Sequence, residues 1–184
     1  MKTLILNGSP RKNGSTQTLI NLFTDRLTTE YKTINAYYAD ISPCTDCRYC
    51  QKHGKCCKKD AMEEVYSYVK ECDNILIASP VYFSELTPPL LGVFSRFQAF
   101  YCSHRFLGIE PVAKKKKGAI LLTGGSEGDY DLAERSAKIL LKKMGAEGDF
   151  PLVYCGNTDF TKAEDNEEAV KKVLELAEAF EKQH

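Results

Sequence analysis

Asp73-Asn-Ile-Leu-Ile-Ala-Ser-Pro80 holds a short apolar run, Asn74 to Ala78, that stops at a serine–proline pair. A run of this length without polar alternation suits a strand covered on both faces, as in a parallel sheet. The same signature recurs on either side of it. Thr3 to Leu6 precedes it, and Ala119 to Leu122 and a shorter Leu152 to Tyr154 follow. Thr33 to Tyr38 is a poorer version, with fewer aliphatic residues.

Between these runs the apolar period changes to that of helices. Leu19, Ile20, Phe23 and Leu27 form one stripe, and Met62, Val65 and Val69 a second, with Asp60 placed to cap it. Leu90, Val93, Phe94 and Phe97 follow Pro88 and Pro89, which a first helical turn accepts. Ala133, Ala137, Leu140, Leu141 and Met144 run up to Gly145, a helix-ending residue. Val170, Val173, Leu174, Ala177 and Phe180 form the last stripe. Five strands alternating with five helices predict a doubly wound α/β sheet. Residues 1–184 read as one domain without repeat or linker, interrupted by a cysteine-rich insertion (43–59) and by Tyr101 to Lys117. In such sheets ligands sit beyond the carboxyl ends of the strands, so the residues after strands one, three and four are the informative ones.

Composition narrows the function. Of 184 residues 43% are hydrophobic and 27% charged, and 25 basic residues balance 25 acidic ones. That balance gives no pull toward nucleic acid. Lys114 to Lys117 is the one dense basic run, and with no aromatic residues interleaved it reads as a solvated loop. No stretch approaches the ~18–20 apolar residues of a membrane span, and the N-terminal sequence lacks secretory-signal regions, so a cytoplasmic protein is expected. Eight cysteines in a reducing compartment point to metal, cluster or redox chemistry rather than to scaffold disulfides.

After the first strand comes Asn7-Gly-Ser-Pro-Arg-Lys-Asn-Gly-Ser-Thr16, then a helix. Small residues let the backbone approach an anion, and the helix start supplies free N–H groups and a favourable dipole. Ser9, Ser15 and Thr16 add hydroxyls, and Arg11 or Lys12 adds charge. The loop is not a Walker A motif, because Gly14 is followed directly by Ser15. It is not the dinucleotide G-x-G-x-x-G either, since Gly8 and Gly14 are too far apart. A hydroxyl-rich cradle of this kind suits a terminal phosphomonoester.

Three motifs stand in order: Gly8-Ser-Pro-Arg11 with Asn13-Gly-Ser-Thr16, Ser79-Pro-Val-Tyr-Phe83, and Thr123-Gly-Gly125. In this the chain resembles the NAD(P)H-dependent FMN reductase and iron–sulfur flavoprotein family of the flavodoxin-like superfamily. The resemblance implies a flavodoxin-like three-layer sandwich with a five-stranded parallel sheet of order 2-1-3-4-5. It implies that Ser9, Arg11, Asn13, Ser15 and Thr16 surround the phosphate of FMN. Pro80, Val81, Tyr82 and Phe83 would line its ring and ribityl chain, and Gly124 and Gly125 would let a loop approach the ring's polar edge. NAD(P)H is then the co-substrate, and no catalytic side chain is nominated, because the cofactor carries the hard chemistry. A homodimer or homotetramer is implied as well, with Tyr101 to Lys117 and the cysteine loop as candidate contacts.

The cysteine segment, Pro43 to Cys57, places Cys44, Cys47, Cys50 and Cys56 in a compact run. Close thiolates can surround one metal centre. The pattern is similar to the motif of iron–sulfur flavoproteins, where the cysteines bind a [4Fe–4S] cluster. Three readings are open: a cluster, zinc on the same four thiolates, or cysteines lining the flavin site or a subunit contact without metal. Cys57 is a spare thiol, His53 a solvated loop residue, and Cys72, Cys102 and Cys155 small packing residues. The expected activity is electron transfer through FMN to a small-molecule or redox-protein acceptor; a two-cofactor electron carrier and a zinc-binding or redox-sensing protein are the alternatives.

Overall fold

Five parallel strands form one sheet: β1 (Lys2–Asn7), β2 (Glu30–Asn35), β3 (Asn74–Pro80), β4 (Lys117–Thr123) and β5 (Leu152–Cys155). Their order is β2-β1-β3-β4-β5, as expected. The computed structural model of the chain describes residues 1–182; Gln183 and His184, the end of the expected domain, lie outside the described residues. The helices are α1 (Ser15–Thr24), α2 (Tyr49–His53), α3 (Met62–Glu71), α4 (Pro88–Ser95), α5 (Gln98–Leu107), α6 (Asp131–Lys143) and α7 (Glu167–Glu181).

Alternate residues of each central strand face opposite cores, which is why the strands read as continuous apolar runs. Leu4, Leu6, Ile75, Ile77, Ile120 and Leu122 pack against α3, α4 and α6. Ile5, Leu76, Ala78, Leu121 and Val153 pack against α1 and α7, where Phe23 and Phe180 meet edge to face. The result is the expected three-layer sandwich. The winding reverses between β1 and β3, so the ligand crevice falls at their carboxyl ends.

Four expectations need correction. The second strand is Glu30–Asn35 and not Thr33 to Tyr38; at an edge it pairs only with β1, and exposed Tyr31 blurs its apolar signal. The insertion expected at Tyr101 to Lys117 is helical in its first part, the end of α5, whose buried face is Ala99, Phe100 and Cys102. The Lys114 to Lys117 run is a solvated loop only at Lys114 and Lys115, which are exposed. Lys117 begins β4, Lys114 pairs with Asp73 at 2.7 Å, and buried Lys116 donates to the Lys114 carbonyl. Asp60 does cap α3 by accepting from the Met62 amide (3.1 Å), but it is mainly the partner of the buried Arg96.

Candidate functional site

A pocket of about 220 Å³ opens at the carboxyl ends of β1, β3 and β4. Three loops, far apart in sequence, build it.

The first loop runs from Asn7 to Gly14. Gly8 is wedged so tightly that a Cβ there would come within 2.8 Å of Leu90, Ser79 and Thr87. Its carbonyl accepts from Thr87 Oγ1 (2.8 Å) and its amide donates to the Ala78 carbonyl (2.7 Å), which pins the loop to β3 and α4. Ser9 is held by its amide donating to Asn7 Oδ1, and by Asn35 donating to its carbonyl. Gly14 begins α1 without a side-chain cap, so the amides of the first turn have no acceptor within the helix. Ser9, Arg11, Ser15 and Thr16 line the pocket together with Pro10 and Gly14. Asn13 faces an adjoining recess that shares Arg11, Gly14 and Ser15. The buried Thr16 hydroxyl bonds Thr123 Oγ1 at 2.7 Å, tying the start of α1 to the end of β4.

The second loop leaves β3 at Pro80. Pro80, Val81 and Tyr82 line the pocket, and the Val81 amide donates to the Thr123 carbonyl. Tyr82 and Glu85 exchange backbone hydrogen bonds across a tight turn with Phe83 and Ser84 in the left-handed region (φ 50° and 66°). That turn aims Phe83 away, so it lies fully exposed at the tip and is not among the lining side chains, unlike the expectation.

The third loop carries Gly124 and Gly125, which line the pocket beside Thr123. A Cβ on Gly124 would collide with the Tyr154 hydroxyl, and one on Gly125 with the Asp159 carboxylate. Tyr154 cannot yield easily, because it stacks on Tyr130 and donates to the Ser126 carbonyl. Thr158 and Asp159 complete the wall from the loop after β5. Sequence reasoning passed over that loop, although the strand-end rule covers every strand.

The cysteine segment forms a second, small pocket. Cys44, Cys47, Cys50 and Cys56 line it, joined by Cys57 and by Cys102 of α5. Cys102 was expected to be a packing residue; it is buried, yet it also faces this pocket. Its place on α5, beside the cysteine loop, brings it there. All eight cysteines are free thiols, with Cys47 and Cys57 sulfurs 3.4 Å apart. Burial, then the adjacent Cys102 thiol, push Cys50 up to about 12. The Tyr49 amide and the Cys57 thiol hold Cys47 below its ordinary value. A closed zinc site needs four sulfurs about 2.3 Å from one point. Among the described residues no three His, Cys, Asp or Glu side chains are gathered in such a grouping.

Below this pocket Arg96 and Asp60 make a buried ion pair at 2.5 Å. Burial works to raise the Asp60 carboxyl, but the Arg96 guanidinium and the Met62 amide outweigh it and hold it below the usual carboxylate range. Helix α4 spans both sites: Thr87, at its start, bonds the Gly8 loop, and Ser95, at its end, accepts from the Cys44 amide (2.9 Å). Eight residues of helix separate these contacts by about 12 Å.

The chain's residues 1–147 match the family model described as NADPH-dependent FMN reductase. An iron–sulfur flavoprotein of Archaeoglobus fulgidus is 27% identical over 191 residues, covering 100% of this chain and 82% of that one. One of Methanocaldococcus jannaschii is 28% identical, covering 89% and 84%. Among solved structures, an NAD(P)H:quinone oxidoreductase from Methanothermobacter marburgensis superposes with TM-score 0.72 at 15% identity, covering 100% and 98% of the two chains. An FMN-dependent NADH-azoreductase from Bacillus anthracis, in complex with FMN, gives 0.67 at 16% identity, covering 97% and 99%. At such identities the two structures speak for the fold. No helix among the described residues is long and apolar enough to cross a membrane.

Proposed function

The chain belongs to the NADPH-dependent FMN reductase family, and from that membership we propose that it passes electrons from NAD(P)H through FMN held in the strand-end pocket to a small-molecule or redox-protein acceptor. The observation that carries this reading is the convergence of the three loops on one crevice, with an uncapped helix start on one side and paired glycines on the other. The donor set fits the cofactor. Free first-turn amides of α1, the hydroxyls of Ser9 and Ser15, and the Arg11 charge suit a phosphate, with Thr16 contributing its amide and Asn13 closing the open side. Pro80, Val81 and Tyr82 would flank the ring and ribityl chain, with Phe83 at the outer edge of the same turn. Gly124 and Gly125 would present bare backbone to the ring's polar edge, their lack of a Cβ letting the loop pack against Tyr154 and Asp159.

The chemistry FMN supplies when bound is acceptance of hydride from a nicotinamide and release of the electrons to the acceptor. The protein's share is to hold the phosphate, orient the ring against the β3 turn and keep the β4 loop closely packed. The test is direct. The purified chain should bind FMN in near-equal amount, quench its fluorescence, and oxidise NADPH or NADH with quinone, nitro and ferredoxin-type acceptors. Failure to bind added FMN overturns the proposal. Gly8→Ala should weaken FMN at least tenfold, because the added carbon strains three packed neighbours by about 1–3 kcal/mol and shifts the loop; a fluorescence titration matching the unsubstituted protein would count against that role.

A second reading is favoured by a specific observation, the six thiols around one pocket. They suit a [4Fe–4S] cluster on Cys44, Cys47, Cys50 and Cys56, which would supply one-electron transfer beside the flavin, and the curated relatives carry the name iron–sulfur flavoprotein. Iron and acid-labile sulfide in anaerobically purified protein would support it, and zinc or no metal would sink it. The reading extends to assembly as a homodimer or homotetramer, since Phe106, Leu107 and Ile109 leave apolar surface exposed. Light scattering at micromolar concentration tests that, and a monomer would refute it.

A further inference from the structure

Arg96 closes α4 and its side chain is fully buried. Its Nη1 donates to the Ser42 carbonyl (2.8 Å) and to Asp60 Oδ2 (2.5 Å), and its Nη2 donates to Asp60 Oδ1 (3.1 Å). Its Nε is buried and has no hydrogen-bond partner among the described residues. A buried donor left unmade costs about 1–3 kcal/mol, more on a charged group, so such an atom calls for a reason. The same side chain lines the cysteine pocket, where six thiols stand with Asp46, Gln51 and Gln98, none of which bonds Arg96. Neutral thiols accept hydrogen bonds poorly, whereas metal-bound thiolates and sulfides carry negative charge and accept well. Arg48 also lines the pocket, but it is largely exposed and paired with Asp46 at 3.6 Å.

Resting on the cluster reading above, we infer that Arg96 is the positioning residue of the cysteine pocket: its Nε–H donates to a sulfur of a thiolate-ligated iron–sulfur cluster and raises that cluster's reduction potential. Hydrogen bonds to the sulfurs and nearby charge are the levers by which proteins set such potentials. Reduction adds negative charge beside a fixed donor, so the reduced form gains more than the oxidised one. Asp60 then has a double part, fixing the guanidinium plane through hydrogen bonds to Nη1 and Nη2 while making none to Nε.

The test uses the full chain isolated without oxygen. Iron, acid-labile sulfide and FMN per chain are measured first, then the cluster potential by a redox titration followed by electron paramagnetic resonance. Two variants are compared with the unsubstituted protein: Arg96→Lys, which keeps charge but loses the fork, and Asp60→Asn with Arg96→Met, which removes the pair together. Both should load the cluster and hold FMN, with the reduction equilibrium lowered about tenfold, or about 59 mV for a one-electron couple. Should either variant fail to fold, a measurement on the native Arg96 decides. In an Arg48→Lys background grown with ¹⁵N-arginine, pulsed resonance of the reduced cluster should detect a coupled nitrogen. A loaded cluster with unmoved potential in a folded variant, or with no nitrogen coupling, overturns the inference alone. Absence of iron and sulfide from the unsubstituted protein overturns the cluster reading and takes the inference with it.

Discussion

Asp60→Ala lowers the unfolding free energy by about 3–5 kcal/mol, because it strands the Arg96 guanidinium, fully buried, without its counter-charge. For a chain of this size each kcal/mol moves the melting temperature by about 2–4 °C, so thermal unfolding should shift by roughly 6–20 °C. Replacing both partners with neutral groups of similar volume removes the buried charge as well as its mate, and that double variant should recover most of the loss. The pair also sets an acid limb. The folded-state carboxyl of Asp60 is depressed, so its contribution is complete above the unfolded value near pH 4 and is lost as pH falls through the folded one. Asp60→Asn should therefore flatten the decline of stability below about pH 4. A loss under about 1 kcal/mol for Asp60→Ala, by chemical denaturation, would show that the pair is not the anchor the geometry makes it.

The sequence carries the sheet more legibly than the segment this ion pair supports, for a physical reason. Strands β1, β3 and β4 are covered on both faces, so Ile75, Leu76, Ile77 and their counterparts advertise burial without reference to any partner. Strand β2 lies at an edge, where tolerance for Tyr31 and Lys32 dilutes the pattern. The loop after β1 is legible because its small residues and hydroxyls stand in one contiguous stretch, Asn7 to Thr16. Thr158 and Asp159 were not, because only the closure of β5 beside β4 brings them to the glycines. Asp60 and Arg96 are thirty-six positions apart, and nothing in either neighbourhood names the other. Cys102 escaped notice for the same reason: a lone cysteine reads as packing until α5 is seen to carry it to the cysteine loop.

This difference has a consequence for how the two pockets are coupled. The loop after β1 is held from outside by Ala78, Asn35 and Thr87, while Arg96, at the end of α4, ties that helix to the Ser42 carbonyl and to Asp60 beneath the cysteine pocket. Helix α4 joins them, bonded to the Gly8 loop at one end and to Cys44 at the other.

Ser15→Asp provides the clean separation of fold from flavin binding. Residue 15 is the first of α1, where an acidic side chain favours the helix dipole by about 0.3–1 kcal/mol. The substitution should therefore leave thermal stability unchanged or slightly raised. The same carboxylate stands on the wall of the pocket with Ser9 and Arg11, where it would repel a phosphate and replace a donor by an acceptor. Loss of one charge-assisted hydrogen bond costs about 1.5–3 kcal/mol, and the added repulsion comes on top. FMN affinity should fall at least 10- to 100-fold, measured by fluorescence quenching at moderate ionic strength. Riboflavin, which has no phosphate, should lose little, and that comparison assigns the effect to the phosphate rather than to a disturbed loop. Equal losses for both flavins would place the phosphate elsewhere and return the uncapped start of α1 to an ordinary strand-to-helix turn.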